Sequence, residues 1–284
     1  MYYLLTESFK SQEAKLVEII TKAVPVEKIY MLGSSLVQRR TESIFMTDAP
    51  SCRKVGHYWL LILIKKNCGH TNNDMQDRIE NICNSFIPVT AIVLNLEQFT
   101  AWLNEGHRFA TTVVKIAVKI YDANEIPLII PLKDITNLKE DENFWSHVDG
   151  IVNEFIAGAE LYILRNQNAM AMFMLHQATE QTLHLIFKKG TALHINTHNI
   201  EKLIRYCSMV SYQVEDIFFR NNDKNDKLFM LLQKAYIDSR YKKDFKLTKP
   251  DVEVIFWQVK NLLKELRGIR DNYFDEVFLK TISL

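Results

Sequence analysis

Residues 169–190 read AMAMFMLHQATEQTLHLIFKKG, and this stretch decides the second half of the fold. Its spacing predicts one helix over Ala169–Lys189. Gly190 then stands where a left-handed C-terminal residue is favoured. Met170, Met172 and Met174 are soft apolar packing of the sort that fills a helical core. His176 and Glu180 lie one turn apart and share a face. Working outward, Phe144–Leu164 reads as a long helix before this one. Asn199–Met209 reads as a helix after it, with Thr197 available as N-cap. Leu228–Tyr241 is a fourth. The fifth is the best marked, with Thr248 as cap, Pro250 in the first turn, Asp251 three residues after the cap and an apolar stripe through Leu266. No strand pattern interrupts these helices, so an α-bundle is expected.

The pattern changes upstream of Asp134–Asn143, a polar and acidic stretch that reads as a linker. The expected organisation is therefore a domain over 1–133, a linker over 134–143 and a helical domain over 144–284. The first part alternates helix and strand. Glu13–Ala23 has helical apolar spacing, and Val26–Leu32 reads as a strand that ends at Gly33-Ser34-Ser35. His57–Ile64 is nearly all apolar, as in a strand buried on both faces. Asn73–Phe86, with Met75, Ile79, Ile82 and Phe86, is a further amphipathic helix. Val89–Leu94 is a strand, Leu96–Leu103 and Arg108–Ala117 are helical, and Val118–Tyr121 adds a short strand. The fold class is thus α+β with two domains, an α/β sheet domain followed by an all-α bundle.

Composition fits two folded domains: 48% of the 284 residues are hydrophobic and 24% charged. The net charge is +1, with 16 basic against 15 acidic residues over 1–140 and 19 against 19 thereafter. Bulk charge therefore marks neither half as an electrostatic nucleic-acid binder. Local basic groups remain at Arg39-Arg40 and at Lys242-Lys243 with Lys246 and Lys249, where a solvated face is the common explanation. Cys52, Cys68, Cys83 and Cys207 form no CxxC pair, so a reduced, cytoplasmic setting is the simplest expectation. Met1–Lys15 is neither a signal nor a transit peptide. The longest apolar run, Tyr58–Ile64, is far short of a membrane span, and no membrane association is expected. Cys52, His57, Cys68 and His70 match no common zinc spacing, and no metal is expected there.

The helical half resembles the HEPN domain. Met172–Glu180 is similar to its second helix, His198-Asn199-Ile200 with Leu203-Ile204 to its third, and Ala235–Tyr241, ending in Arg-Tyr, to its fourth. That resemblance implies a helical bundle that dimerises and, in many members, a metal-independent ribonuclease. The ribonuclease signature is an Arg followed after four to six residues by a His. Here the positions after Arg240 are Phe245, Lys246 and Leu247, and no Arg elsewhere has a His at that spacing. The resemblance makes His176, Glu180, His198, Asp238, Arg240 and Tyr241 the candidate ligand-binding residues. Two readings stay open. One is a pocket for an anionic or nucleotide ligand. The other is a satisfied polar network, with His176 bonded to a carbonyl and Arg240 paired with Asp238 or Glu180.

The first half resembles a degenerate minimal nucleotidyltransferase. Ile29–Ser35 looks like that family's Gly-Ser loop, which makes Gly33 and Ser34 candidate ligand-binding residues. Phe99–Asp122 is similar to the closing part of the domain in fusions with HEPN. The family's next strand opens with Asp-x-Asp, which holds Mg²⁺. In this chain those positions read His57 and Trp59, and Val89–Val93 has no carboxylate. Twenty-two residues separate Ser34 from His57, which implies an inserted loop or hairpin over 36–56. With both signatures missing, the expected function is a non-catalytic or weakly catalytic nucleotide- or RNA-binding regulatory module, homodimeric through the helical domain, in stress or defence. No cofactor is expected. Mg²⁺ enters only if a transferase draws ligands such as Glu42 or Asp48 from the insertion. The competing readings are a divergent ribonuclease and a protein–protein scaffold.

Overall fold

A computed structural model describes residues 7–40, 51–65, 71–123, 128, 142–218, 220, 222–242 and 245–282. The chain divides into two units, Met1–Thr136 and Asn137–Leu284. The first contains α1 (Glu7–Ala23), β1 (Val26–Arg40), β2 (Ser51–Ile64), α2 (Asn72–Cys83), β3 (Val89–Asn95), α3 (Leu96–Asn104), α4 (Arg108–Ile116) and β4 (Val118–Asp122). The strands form a mixed sheet of order β3-β2-β1-β4. β1 runs antiparallel to β2 and to β4, while β2 and β3 are parallel.

One face of the sheet buries Ile29, Met31, Leu60, Ile62 and Ala91 against Leu16 and Ile20 of α1 and Met75 and Ile79 of α2. On the other face Tyr30 stacks on Phe99 of α3, with ring centroids 6.5 Å apart. Leu60, Leu61, Ile62, Leu63 and Ile64 are all fully buried, which is why this run has no polar alternation. β3 lies at the sheet edge, where its Ala91 N–H donates to Glu80 Oε1 of α2 at 3.1 Å. That carboxylate occupies a donor that would otherwise invite another strand. At the opposite side, buried Lys28 of β1 pairs with Asp122 of β4 at 2.5 Å. Burial raises the Asp122 carboxyl, but hydrogen bonds and charge from Lys28 and Lys119 outweigh it and hold it at about 2.

Two expectations for this unit need correction. The strand beginning at Val26 does not stop at Gly33 but continues to Arg40, paired with β2 out to Arg40↔Ser51. The 36–56 insertion is therefore largely an extension of this hairpin; residues 41–50, with Glu42 and Asp48, lie outside the described residues. Gly33 makes no turn. It faces Trp59 at a register irregularity, where an added Cβ would sit 3.5 Å from the Trp59 ring. A glycine within a strand commonly marks such a bulge.

The second unit contains α5 (Glu142–Leu164), α6 (Asn168–Thr191), α7 (Ile200–Cys207), α8 (Gln213–Ile217), α9 (Asp223–Tyr241) and α10 (Lys249–Ile282). Helix α6 is its axis, in contact with α5, α7, α9 and α10. It buries Ala171, Met172, Leu175, Ala178, Leu183 and Ile186. Gly190 does not end it. The helix runs on to Thr191, and the left-handed residue is Ala192, with φ 63°. Gly190 serves a different need, because a Cβ there would lie 2.5 Å from Val210 Cγ2. The cap of α7 is Asn199, whose Oδ1 accepts from Lys202 N at 3.0 Å, rather than Thr197, whose Oγ1 accepts from Asn199 N one step earlier. Thr248 caps α10 as expected, accepting from Asp251 N at 3.3 Å. Of the expected linker, Glu142 and Asn143 already belong to α5.

Candidate functional site

The axial helix α6 sets His176 and Glu180 on one face, and both are almost wholly buried, 2% and 4% exposed. A carboxylate at that depth needs partners. Glu180 Oε1 accepts from His198 Nδ1 at 2.9 Å, and Oε2 lies 3.4 Å from His176 Nε2. The second contact is an electrostatic approach, its angle short of a hydrogen bond. His176 is fixed from its other side, Nδ1 donating to the Leu232 carbonyl of α9 at 2.9 Å. Burial raises the Glu180 carboxyl, while the close approach of His176 and the hydrogen bond and charge of His198 outweigh that and leave it below the usual range. His198 differs from its two partners, because its side chain is 82% exposed. The site is therefore a buried anion with one buried and one solvent-facing imidazole.

Arg240 reaches this group by a different route from an ion pair. Its Nε donates to the Tyr236 carbonyl at 2.8 Å, and its guanidinium lies 4.3 Å from the Tyr236 ring centroid, 5.2 Å from Tyr241 and 5.4 Å from Phe173. The Tyr236 ring in turn sits 5.7 Å from His176. Contacts thus run unbroken from Arg240 through Tyr236, His176 and Glu180 to His198. Asp238 is not the partner of Arg240; its Oδ2 is held by Lys242 Nζ at 2.8 Å. Tyr241 is largely exposed and touches the group only through the guanidinium.

Three residues of this group carry no motif in the sequence. Tyr236 lies inside the Ala235–Tyr241 segment, but nothing in the letters marks it as the bridge between Arg240 and His176. His184, one turn beyond Glu180, stacks on His194 with centroids 5.5 Å apart and planes 6° apart. Burial and the neighbouring His194 and His198 lower the His184 pKa, although Glu180 pulls the other way. The i, i+4, i+8 spacing of His176, Glu180 and His184 is the one signal that could have found this row. His194 sits in the connection to α7, where no periodicity applies.

In the first unit, Gly33 and Ser34 sit within β1 opposite Trp59 and Tyr58 rather than in a phosphate-approaching loop. His57 Nε2 is 2.9 Å from Thr90 Oγ1, and the His57 and Trp59 rings meet at 4.8 Å. Those two positions thus hold packed rings where paired carboxylates would be needed to bind divalent metal. Among the described residues no group of three His, Cys, Asp or Glu side chains is placed to hold a metal ion. Cys68 and His70 lie outside the described residues. No described helix is long and apolar enough to cross a membrane.

A bundle organised around a central helix, with a buried carboxylate and histidines facing a helix that ends in Arg-Tyr, defines the class of the second unit. Residues 152–269 match the HEPN domain family model. This relationship is to a nucleotide- or RNA-related module. Among solved structures, a nucleotidyltransferase-like protein from Exiguobacterium sibiricum 255-15 aligns over 95% of this chain and 80% of that one, at 12% identity and a TM-score of 0.30. No curated protein matches the chain.

Proposed function

We propose that the chain is a non-catalytic, regulatory nucleotide- or RNA-binding module, its ligand received by the HEPN domain at His176, Glu180, His198, Arg240 and Tyr241, with Tyr236 between them. The observation that carries this reading is the arginine held against three aromatic rings, one of which links it through His176 and Glu180 to the exposed imidazole of His198. A guanidinium and exposed tyrosines offer stacking planes and charge to a base and its phosphate. Asp238 belongs to the framework, since its charge is already matched by Lys242. In the first unit, Gly33 and Ser34 take no part in metal chemistry, and that unit is a degenerate nucleotidyltransferase-like domain with His57 and Trp59 in the carboxylate positions. The assembly is a homodimer through the helical unit, in a reducing cytoplasm, with a role in stress or defence, a reading that the resemblance to HEPN proteins supports.

A thermal-shift series with nucleotides and short single-stranded RNAs tests the reading, since a ligand that binds only the folded state raises Tm by mass action. The expected result is a rise with one of these ligands that does not need Mg²⁺ and that Arg240→Ala removes. A rise that requires Mg²⁺ would instead restore the transferase, and no rise with any of them would leave a protein–protein scaffold. The exposure of His198 favours one second reading, a divergent ribonuclease using His198 with Arg240. Cleavage of labelled RNA by the wild-type chain, abolished in Arg240→Ala, would establish it.

A further inference from the structure

His198 is held in a manner that no ligand-binding role requires. Its Nδ1 donates to Glu180 Oε1 at 2.9 Å, and the carboxylate that accepts is 5% exposed while the imidazole is 82% exposed. A neutral imidazole carries one N–H and one lone pair. Committing the Nδ1 proton to Glu180 fixes the tautomer and leaves the Nε2 lone pair as the outward, reactive nitrogen. The carboxylate itself is enclosed, 5% exposed, with Oε2 3.4 Å from Nε2 of the buried His176, whose Nδ1 donates to the Leu232 carbonyl. This is the arrangement by which a buried carboxylate orients an imidazole for attack and stabilises the positive charge that then develops on the ring.

We propose that His198 is a phosphoryl-accepting histidine, with Nε2 as nucleophile and Glu180 as its positioning residue, modified by small-molecule donors of the phosphoramidate or acyl-phosphate class. With phosphoramidate, the Nε2 lone pair attacks phosphorus and an Nε2–P bond forms. The donor's P–N bond breaks, and ammonia leaves with its electron pair. The ring becomes cationic, its Nδ1–H still directed at the Glu180 carboxylate. The surroundings suit the anionic product. His198 immediately precedes Asn199, the cap of α7, and so lies at the positive end of that helix. The acidic residue in its first turn, Glu201, is matched by Arg220 at 3.0 Å. The proposal does not rest on nucleotide or RNA binding, because the modification needs only the orientation of one ring.

The wild-type chain contains its own controls, since His147 and His194 are exposed and no described carboxylate holds either ring. The full-length protein is incubated with potassium phosphoramidate, and acid-labile phosphohistidine is mapped by mass spectrometry over time. His198 is expected to be labelled about tenfold or more faster than His147 and His194, a factor typical of a well-oriented imidazole. Equal labelling of the three in proportion to exposure, or an unlabelled His198, overturns the proposal without any variant. Glu180→Gln keeps the shape but loses the charge, and it is expected to bring the His198 rate down to that of His194 in protein whose circular dichroism is unchanged. An unaltered rate in that folded variant would remove Glu180 from its assigned role. Should Glu180→Gln fail to fold, the wild-type comparison decides alone. Failure of nucleotide or RNA binding in the thermal series leaves this result untouched, so the two readings fall separately.

Discussion

At the scale of single residues, the histidines around Glu180 give the helical unit a pH dependence whose sign is fixed. Glu180 is held below the ordinary carboxyl value of 4.5 in the folded chain, so its contribution is complete above 4.5 and is lost as pH falls through the lower folded value. His184 is also depressed, from 6.5, because burial disfavours its charged form. A histidine depressed on folding contributes stability above 6.5 and loses it as pH falls through the folded value, since the unfolded chain then binds more protons. Both effects weaken the fold on acidification, His184 acting first. The Tm of the HEPN domain, followed by circular dichroism, is expected to be flat above pH 7 and to fall steadily below about 6.5. His184→Gln should flatten the upper part of that fall and leave the lower part, near Glu180, in place. A Tm that rises on acidification would contradict both assignments. The identities of His176, Glu180 and His198 were legible because a family pattern marks them. Tyr236 was not, because a tyrosine in a helix becomes a bridge only when another helix brings an imidazole to its face.

At the scale of elements, the end of α6 shows how one glycine answers to packing rather than to chain direction. Gly190 follows a helix in the sequence and precedes Thr191 and Ala192, so a left-handed terminus is the natural reading. The turn is nonetheless taken by Ala192, and the missing side chain at 190 lets Val210 approach to where a Cβ would overlap it. Gly190→Ala has opposing effects: a better helix residue, and a methyl group forced into a filled space. Overpacking of this kind costs about 1–3 kcal/mol, against about 1 kcal/mol gained in helix propensity. The expected outcome is a net loss of stability in urea denaturation, reversed when Gly190→Ala is combined with Val210→Ala. Equal destabilisation in the double variant would place the strain elsewhere. The same logic explains β1. Alternating small residues at Gly33-Ser34-Ser35 look like a turn, and only pairing with a long β2 makes them the middle of a strand. Helix starts were more legible, because Thr248 and Asp251 interact locally, within a single turn.

At the scale of the whole molecule, the apolar surface of the helical unit bears on assembly. Leu161 and Leu164 of α5 and Trp257 of α10 are more than half exposed, whereas Phe256, the neighbour of Trp257, is buried. Aromatic and aliphatic side chains left on a surface in this way are the usual material of an interface core. Light scattering coupled to gel filtration is expected to return twice the 33.3 kDa chain mass. Trp257→Glu or Leu164→Glu should move the mass towards one chain, and a wild-type mass near one chain at high concentration would exclude the homodimer. The division into an α/β unit and a helical unit was determined by the sequence alone, since period-two and period-3.6 patterns are local and survive without any partner. That His57 and Trp59 are not carboxylates, and that no Arg is followed by His after four to six residues, was equally plain, because a residue type needs no geometry to detect. The tertiary structure alone decided that Arg240 rests on tyrosine rings instead of pairing with Asp238, that Gly190 serves an approach rather than a turn, and that His198 has one nitrogen committed and one open. Each of these depends on which side chain a distant segment presents at a few ångströms, and no local pattern of residues encodes that separation.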